Sequence, residues 1–194
     1  MKDKKHYSGF ISIIGNPNVG KSTLMNALTG INLSITTNKA QTTRHRILGI
    51  LSGDDYQIVL SDTPGIIKPA YQMQNSMMTF VKEALDDADI LIYMIEIGEK
   101  KINDESYLQK IKSSKVPVIV LINKIDESNQ DQVENSVKKW QNYLPNASIY
   151  PISALKNFFI KELLEILKKI LPEGPEFFPK DQITDKPERF FVNE

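Results

Sequence analysis

The segment Gly15–Ser22, with the sequence GNPNVGKS, constrains the fold of this chain more than any other stretch. Its two glycines, its lysine and its serine match the pattern G-x-x-x-x-G-K-[ST]. A short apolar, β-branched run precedes it at residues 10–14, and apolar residues at helical spacing follow it up to Gly30. The sequence therefore predicts a strand, a glycine-rich loop and a helix in succession.

The glycine-rich loop at Gly15–Ser22, also called the phosphate loop below, has the chemistry of a phosphate-binding site. A triphosphate needs many hydrogen-bond donors in a fixed array, and Gly15 and Gly20 allow the backbone N–H groups to approach it closely. The first turn of the following helix points free N–H groups at the anion. Lys21 can reach the β- and γ-phosphates, and Ser22 can supply a hydroxyl ligand to Mg²⁺. Neighbouring residues of the loop are predicted to contact the same nucleotide: Asn16, Pro17, Asn18, Val19 and Thr23.

Composition limits the other functions that this chain can have. Lys plus Arg and Asp plus Glu number 24 each, so no net charge attracts nucleic acid or anionic lipid. There is no cysteine for a disulfide framework or a thiolate metal site. The first residues lack an apolar signal region, and no apolar run has the length of a membrane span. We expect a soluble, cytoplasmic protein.

Apolar runs and helical patterns alternate along the chain. Two runs around the turn-rich residues 52–55 predict a β-hairpin, so that one antiparallel strand joins an otherwise parallel sheet. The alternation predicts an α/β three-layer sandwich with a mostly parallel, six-stranded sheet. The predicted strands are 7–14, 47–51, 56–61, 90–95, 116–122 and 149–152; the predicted helices cover 22–29, 103–112 and the apolar stripes within 73–85, 133–144 and 159–170. We expect Met73, Met77 and Trp140 in the core, and Phe159 and Ile170 on the inner face of the last helix.

The character of the sequence changes at Pro172. Residues 172–194 contain four prolines and no sustained period, which predicts a linker or extension after a domain formed by residues 1–171. Two pairs of phenylalanines are too apolar for a solvated linker. We expect Phe177 and Phe178 to dock on the domain; Phe190 and Phe191 either dock as well or begin a further domain.

Three further short motifs stand at the ends of predicted strands: DTPG at 62–65, NKID at 123–126 and SAL at 153–155. Ligands of α/β sheets bind at this edge. With GNPNVGKS, these motifs resemble the guanine-nucleotide-binding domain of the translation-factor-related GTPases. KAQTTRHRI at 39–47 and the tail FFPKDQITDKPERFFVNE are specifically similar to the Era-type ribosome-assembly GTPases. The resemblance covers essentially the whole chain.

The resemblance implies a P-loop NTPase fold and Mg²⁺-dependent hydrolysis of GTP to GDP. It also implies a role in assembly of the small ribosomal subunit through 16S rRNA, a monomeric state and a peripheral membrane association. That family carries an RNA-binding KH domain after this tail, but no G-x-x-G loop of the KH type follows here. We therefore expect an isolated GTPase domain with its linker, which by itself binds RNA weakly.

Asp126 is the predicted reader of the base, because one carboxylate can accept from both the N1–H and the N2 amine of guanine, a pair that adenine lacks. By resemblance, Asn123 contacts the base and ties its loop to the phosphate loop. The Lys124 stem packs along the base, and the Ala154 amide faces O6. The remaining residues assigned to the nucleotide site by resemblance are Thr63, Pro64, Ile66, Ser153 and Leu155.

The Mg²⁺ and γ-phosphate contacts also follow from the resemblance. Asp62 anchors the metal indirectly, through another ligand or through water, and the Gly65 amide meets the γ-phosphate. Thr43, or alternatively Thr42, completes the metal shell only when that phosphate is present. Loss of the γ-phosphate would then release both loops, as in a molecular switch.

The activation of water is the open point of this assignment. Ile66 follows Gly65 and cannot orient water, unlike the glutamine of Ras-type switches. Arg44 and Arg46 are more typical of loop or strand residues than of an arginine finger. Asn18 resembles an asparagine that helps hold K⁺ in related GTPases, so our hypothesis is that K⁺ replaces the finger. The alternative is that Asn18 only braces the loop.

Two rival functions remain. An ATP-using kinase would explain the phosphate loop but leave NKID and SAL as coincidences. A module that binds nucleotide without hydrolysing it is compatible with every motif.

Overall fold

The computed structural model describes residues 5–34, 36, 42–99 and 102–186. Six strands are present in these ranges: β1 Tyr7–Ile14, β2 Ile47–Ser52, β3 Tyr56–Asp62, β4 Ile90–Glu96, β5 Val118–Asn123 and β6 Ser148–Pro151. The helices are α1 Lys21–Thr29, α2 Gln72–Asp86, α3 Glu105–Lys112, α4 Gln130–Tyr143 and α5 Ile160–Ile170, with a 3₁₀ turn at Ile125–Glu127. In the described part of the chain, no helix is both long and apolar enough to cross a bilayer.

All six strands form one sheet in the order β2-β3-β1-β4-β5-β6. Only the β2–β3 pair is antiparallel, so the predicted mixed sheet is confirmed. The central strands β1, β4 and β5 are buried on both faces, which is why their sequences are almost continuously apolar. Their parallel register brings the carboxyl ends of β1, β3, β4 and β5 to one edge of the sheet.

Helices cover both faces of the sheet and complete three layers. On one face α1 and α5 bury Leu24 and Leu163 against β1. On the other face Val81 of α2, Ile111 of α3 and Trp140 of α4 form a second apolar cluster. Trp140 is thus a core residue as predicted, with its ring edge-on to Tyr93 at a centroid distance of 5.5 Å.

Two of the predicted core positions are wrong. Met73 is 46% exposed, because the inward stripe of α2 begins at Gln74 and continues through Met77. Gln74 also accepts a hydrogen bond from the backbone N–H of Ala70, which fixes the entry to the helix. Ile170, at the end of α5, is 37% exposed, since Leu163 and Leu167 already occupy the inner face.

The segment after α5 runs back along the sheet. The backbone N–H groups of Phe177 and Phe178 donate to Oε1 of the buried Gln57 at 2.7 and 3.0 Å, so their predicted docking is confirmed. Further on, the Ile50 N–H donates to the carbonyl of Ile183, which covers part of the β2 edge. Phe190 and Phe191 lie outside the described residues, and the domain boundary at residue 171 stays a prediction.

Candidate functional site

A cavity of about 540 Å³ opens at the carboxyl edge of the sheet. The residues that line it come from all four sequence motifs, from the threonine-rich segment 31–46 and from the neighbouring Glu127: Pro17, Asn18, Gly20, Lys21, Ser22, Thr23, Thr36, Thr42, Thr43, Thr63, Gly65, Asn123, Lys124, Asp126, Glu127 and Leu155. Segments more than 130 residues apart in sequence (Pro17 to Leu155) therefore meet at one site.

Close backbone approach explains two glycines of this site. Gly20 has φ 101°, and a Cβ atom there would lie 2.3 Å from the Asn123 Nδ2 atom. A Cβ at Gly65 would lie 2.6 Å from the Pro17 Cα atom, so the DTPG loop rests directly on the phosphate loop. The Ile66 N–H donates to the carbonyl of Gly15 at 2.9 Å and holds the two loops together.

Lys21 is the buried cation of the site, with only 6% of its surface exposed. Its ammonium donates to the carbonyl oxygens of Asn16 and Gly15 at 2.8 and 3.3 Å. Burial lowers the pKa of Lys21 to about 8, against the opposing attraction of the Asp62 and Glu99 carboxylates. The Lys21 side chain is thus held against the glycine-rich loop, at the wall of the cavity that it lines.

Three oxygen-bearing side chains converge next to Lys21. The Ser22 hydroxyl donates to Asp62 Oδ2 at 2.7 Å, and its oxygen lies 3.0 Å from Thr43 Oγ1. Asp62 is fully buried, and its Oδ1 atom has no hydrogen-bond partner among the described residues. Burial raises the pKa of Asp62, while the Ser22 hydrogen bond and the Lys21 charge oppose that rise. Hydroxyl and carboxylate oxygens suit Mg²⁺, so these residues fit the predicted metal site. Thr42 lines the cavity beside Thr43.

Asn123 links three loops. Its Nδ2 atom donates to the Val19 carbonyl at 2.8 Å, and its Oδ1 atom accepts from the Ala154 N–H at 2.9 Å. The Ala154 amide thus has a partner within the protein, where the resemblance expected it to face guanine O6. Lys124 has φ 64°, and its ammonium forms an ion pair with Glu96. This is the side chain whose stem was expected to pack along the base.

Asp126 has an exposed carboxylate that lines the cavity. It forms no hydrogen bond or ion pair with any residue of the described ranges, so both its oxygens are free to accept. A carboxylate with two unpaired oxygens can accept hydrogen bonds from two adjacent donors on one base.

Several predicted site residues do not line the cavity: Gly15, Asn16, Val19, Asp62, Pro64, Ile66, Ser153 and Ala154. The Ile66 side chain is fully buried in the core and cannot contact water in the site. Arg46 donates to Ser61 at 2.7 Å and to Asp87 at 2.5 Å, which agrees with its assignment as a structural residue.

Sequence reasoning missed Thr36 and Glu127 as lining residues. It also missed Glu96, the last residue of β4, which contacts Lys124 of NKID, and Glu99, three residues further on, which contacts Asn16 of the glycine-rich loop. A signal for these two acids was present, because β4 ends at the same sheet edge as the strands that carry the motifs.

Comparison with known proteins agrees with this geometry. A family model described as 50S ribosome-binding GTPase matches residues 10–124. GTPase Era of Clostridium kluyveri is 44% identical over 191 residues, which cover 96% of this chain and 64% of that protein. GTPase Era of Clostridium beijerinckii is also 44% identical over 191 residues, covering 96% of this chain and 63% of its own length.

Two solved structures have the same fold as this chain. A crystal structure of Era with MgGDPNP and nucleotides 1506–1542 of 16S ribosomal RNA superposes with a TM-score of 0.90 at 40% identity. A variant of Aquifex aeolicus Era bound to GDP and AlF₄⁻ gives a TM-score of 0.89 at 41% identity. Each match covers 96% of this chain and 64% of the other, so the chain spans less than two thirds of these relatives.

Proposed function

The chain belongs to the 50S ribosome-binding GTPase family, and from that membership we propose that it binds GTP with Mg²⁺ and hydrolyses it to GDP and phosphate. One observation supports this most strongly. A single cavity is lined by the glycine-rich loop with its buried lysine, by the hydroxyls of Ser22 and Thr43, and by the unpaired carboxylate of Asp126. The buried Asp62 lies directly behind this lining and accepts from the Ser22 hydroxyl. These are the groups needed to hold phosphates, a divalent cation and guanine.

Each group has a defined task in this proposal. Lys21 exchanges the carbonyls of Asn16 and Gly15 for phosphate oxygens, and the backbone N–H groups at the start of α1 donate to the same anion.

Ser22, Thr43 and Asp62 would hold Mg²⁺, which when bound neutralises charge on the β- and γ-phosphate oxygens. Asp126 accepts from the two adjacent donors of guanine.

Thr43 and Gly65 make the domain a switch. Both belong to loops, and each contacts the phosphate-loop region: Thr43 through Ser22, and Gly65 through Pro17. If the γ-phosphate holds both loops, its loss on hydrolysis lets them separate from α1 and the phosphate loop.

Competition for the site separates this proposal from the ATP-using alternative. Excess unlabelled GTP should displace labelled GTP from the purified chain, whereas ATP at the same concentration should not. Equal displacement by both nucleotides would contradict the assignment of Asp126 as the guanine reader.

For the whole protein we propose a role in assembly of the small ribosomal subunit through 16S rRNA. Its support is the similarity to Era, which has been crystallised with a 16S rRNA segment. The monomeric state and the peripheral membrane association stay predictions.

RNA binding by the present chain is expected to be weak. Its net charge is zero. Among the basic residues of the segment 39–46, Arg46 is paired with Asp87, and Lys39 lies outside the described residues. In a filter-binding titration with a fragment from the 3′ end of 16S rRNA, affinity should fall steeply between 50 and 200 mM salt, as for a few phosphate contacts. Tight binding that persists at raised salt would contradict this expectation.

We also propose that K⁺ assists hydrolysis and that Asn18 is one of its ligands. Asn18 is exposed, has φ 63° and lines the cavity beside Lys21. No arginine is among the described residues that line the cavity, so a bound K⁺ would supply positive charge near the β–γ bridging oxygen. GTP turnover by the wild type should be faster in KCl than in NaCl at equal ionic strength, and Asn18→Ala should lose that difference. Equal wild-type rates in the two salts would remove K⁺ from the mechanism, and stimulation that survives in the variant would remove Asn18.

A further inference from the structure

The described residues between β4 and α3, 97–99 and 102–104, contact the glycine-rich loop and the NKID loop. Glu96, the last residue of β4, forms the ion pair with Lys124 of NKID. The next residue, Ile97, donates its N–H to the Asn123 carbonyl at 2.9 Å. The start of this connection is therefore fixed to the loop that carries the proposed base reader.

Glu99 holds the phosphate loop through Asn16. The Asn16 Nδ2 atom donates to Glu99 Oε1 at 2.7 Å, and its Oδ1 atom accepts from the Asn103 N–H at 2.9 Å. Asn16 is only 8% exposed, and its carbonyl is the closer of the two that accept from Lys21. Glu99 and Asn103 therefore fix the Asn16 side chain, and the Asn16 carbonyl in turn accepts from the Lys21 ammonium.

A carboxylate is the group that this position requires, because Glu99 accepts from two donors with two oxygens. Its Oε2 atom accepts from the Glu96 N–H at 3.2 Å and closes a turn through Gly98, which has φ 80°. A glutamine has one oxygen, so it would set its own NH₂ group against one of the two donors. Burial raises the pKa of Glu99 to about 7, and the nearby Glu96 carboxylate adds to that rise. The hydrogen bond from the Glu96 N–H, the Lys21 charge and the Asn16 hydrogen bond oppose it.

We propose that Glu99 is a positioning residue for nucleotide binding, which acts through Asn16 to hold the phosphate loop in its binding geometry. This inference rests on the proposed GTPase function, since it assigns the loop a nucleotide to bind. The sequence pattern G-x-x-x-x-G-K-[ST] allows any residue at position 16. In the structure, Asn16 connects Glu99 to the carbonyl that accepts from Lys21.

An exchange of donor and acceptor tests the contact. At alkaline pH, Asn16→Asp should weaken GDP binding about tenfold or more, because two ionised carboxylates then face each other. Near pH 7 the loss should be smaller, since a shared proton can bridge the pair. Adding Glu99→Gln should restore GDP affinity to within about threefold of the wild type. In that pair the new amide can donate to the new carboxylate and still accept from the Glu96 N–H, while the Asn103 N–H keeps its acceptor. GDP dissociation constants and the unfolding temperature of the nucleotide-free protein would be measured for each variant.

Glu105→Gln, an exposed position in the first turn of α3, is the matched control and should bind GDP like the wild type. A double variant as weak as Asn16→Asp alone would overturn the inference. If Asn16→Asp does not fold, Glu99→Gln alone decides: severalfold weaker GDP binding supports the inference, and wild-type affinity overturns it. A wild-type chain without affinity for GDP would contradict the proposed function itself.

Discussion

Asp126→Asn is expected to weaken GTP binding by about 10³-fold and to make xanthosine triphosphate the better ligand. The carboxylate of Asp126 faces the cavity without a partner in the described part of the protein, so both of its oxygens are available to guanine. An amide offers only one acceptor, and its NH₂ group meets the N2 amine donor, so two charge-assisted hydrogen bonds are lost. Xanthine has a carbonyl where guanine has the amine, and the amide can donate to it.

Competition titrations with GTP and xanthosine triphosphate would measure this change of preference. Asp131→Asn, an exposed position in the first turn of α4, removes a charge of the same sign and should leave both affinities unchanged. Wild-type GTP affinity in Asp126→Asn would show that another residue reads the base.

Lys21→Ala is expected to lower kcat/KM for GTP by about 10²- to 10³-fold, the scale on which removal of one fixed charge-stabilising donor acts. Lys21 is the buried cation at the phosphate end of the cavity, and its ammonium already lies against the phosphate-loop carbonyls. The fold should persist, since the lysine stabilises the loop only through two carbonyl contacts. Phosphate release and the unfolding temperature would be measured together.

Lys138→Ala is the control for the loss of a lysine, because Lys138 is exposed on α4. It should retain wild-type turnover. If Lys21→Ala retains it as well, the glycine-rich loop does not hold the reacting phosphates.

Much of the fold could be predicted because its signals are local. Strands buried on both faces appear as apolar runs, and the polar residues 52–55 mark the hairpin that makes one pair antiparallel. The error at Met73 arose where two neighbouring residues could take one inward position. In the structure Gln74 takes it, and its side chain accepts a hydrogen bond from the Ala70 N–H. No periodicity contains that information.

The candidate site, like the fold, could be predicted from the sequence only in part. Each motif lies at a strand end, so spacing and chemistry place the motifs at one edge of the sheet. The roles of most residues outside the glycine-rich loop follow only from the family resemblance, and Thr36 and Glu127 were not predicted. The contacts of Glu96 with Lys124 and of Asn16 with Glu99 join residues 28 and 83 positions apart. Such pairs depend on the strand order β1-β4-β5 and on the path of a connection, which a single sequence does not specify.

The most direct test of the central claim is phosphate release from GTP by the purified chain. With GTP and Mg²⁺ we predict catalytic release of inorganic phosphate, whereas ATP at the same concentration, or GTP with excess EDTA, should give no release above the spontaneous rate. Tight binding of GTP without any phosphate release, in KCl as well as in NaCl, would contradict the account and indicate a module that holds nucleotide without hydrolysing it.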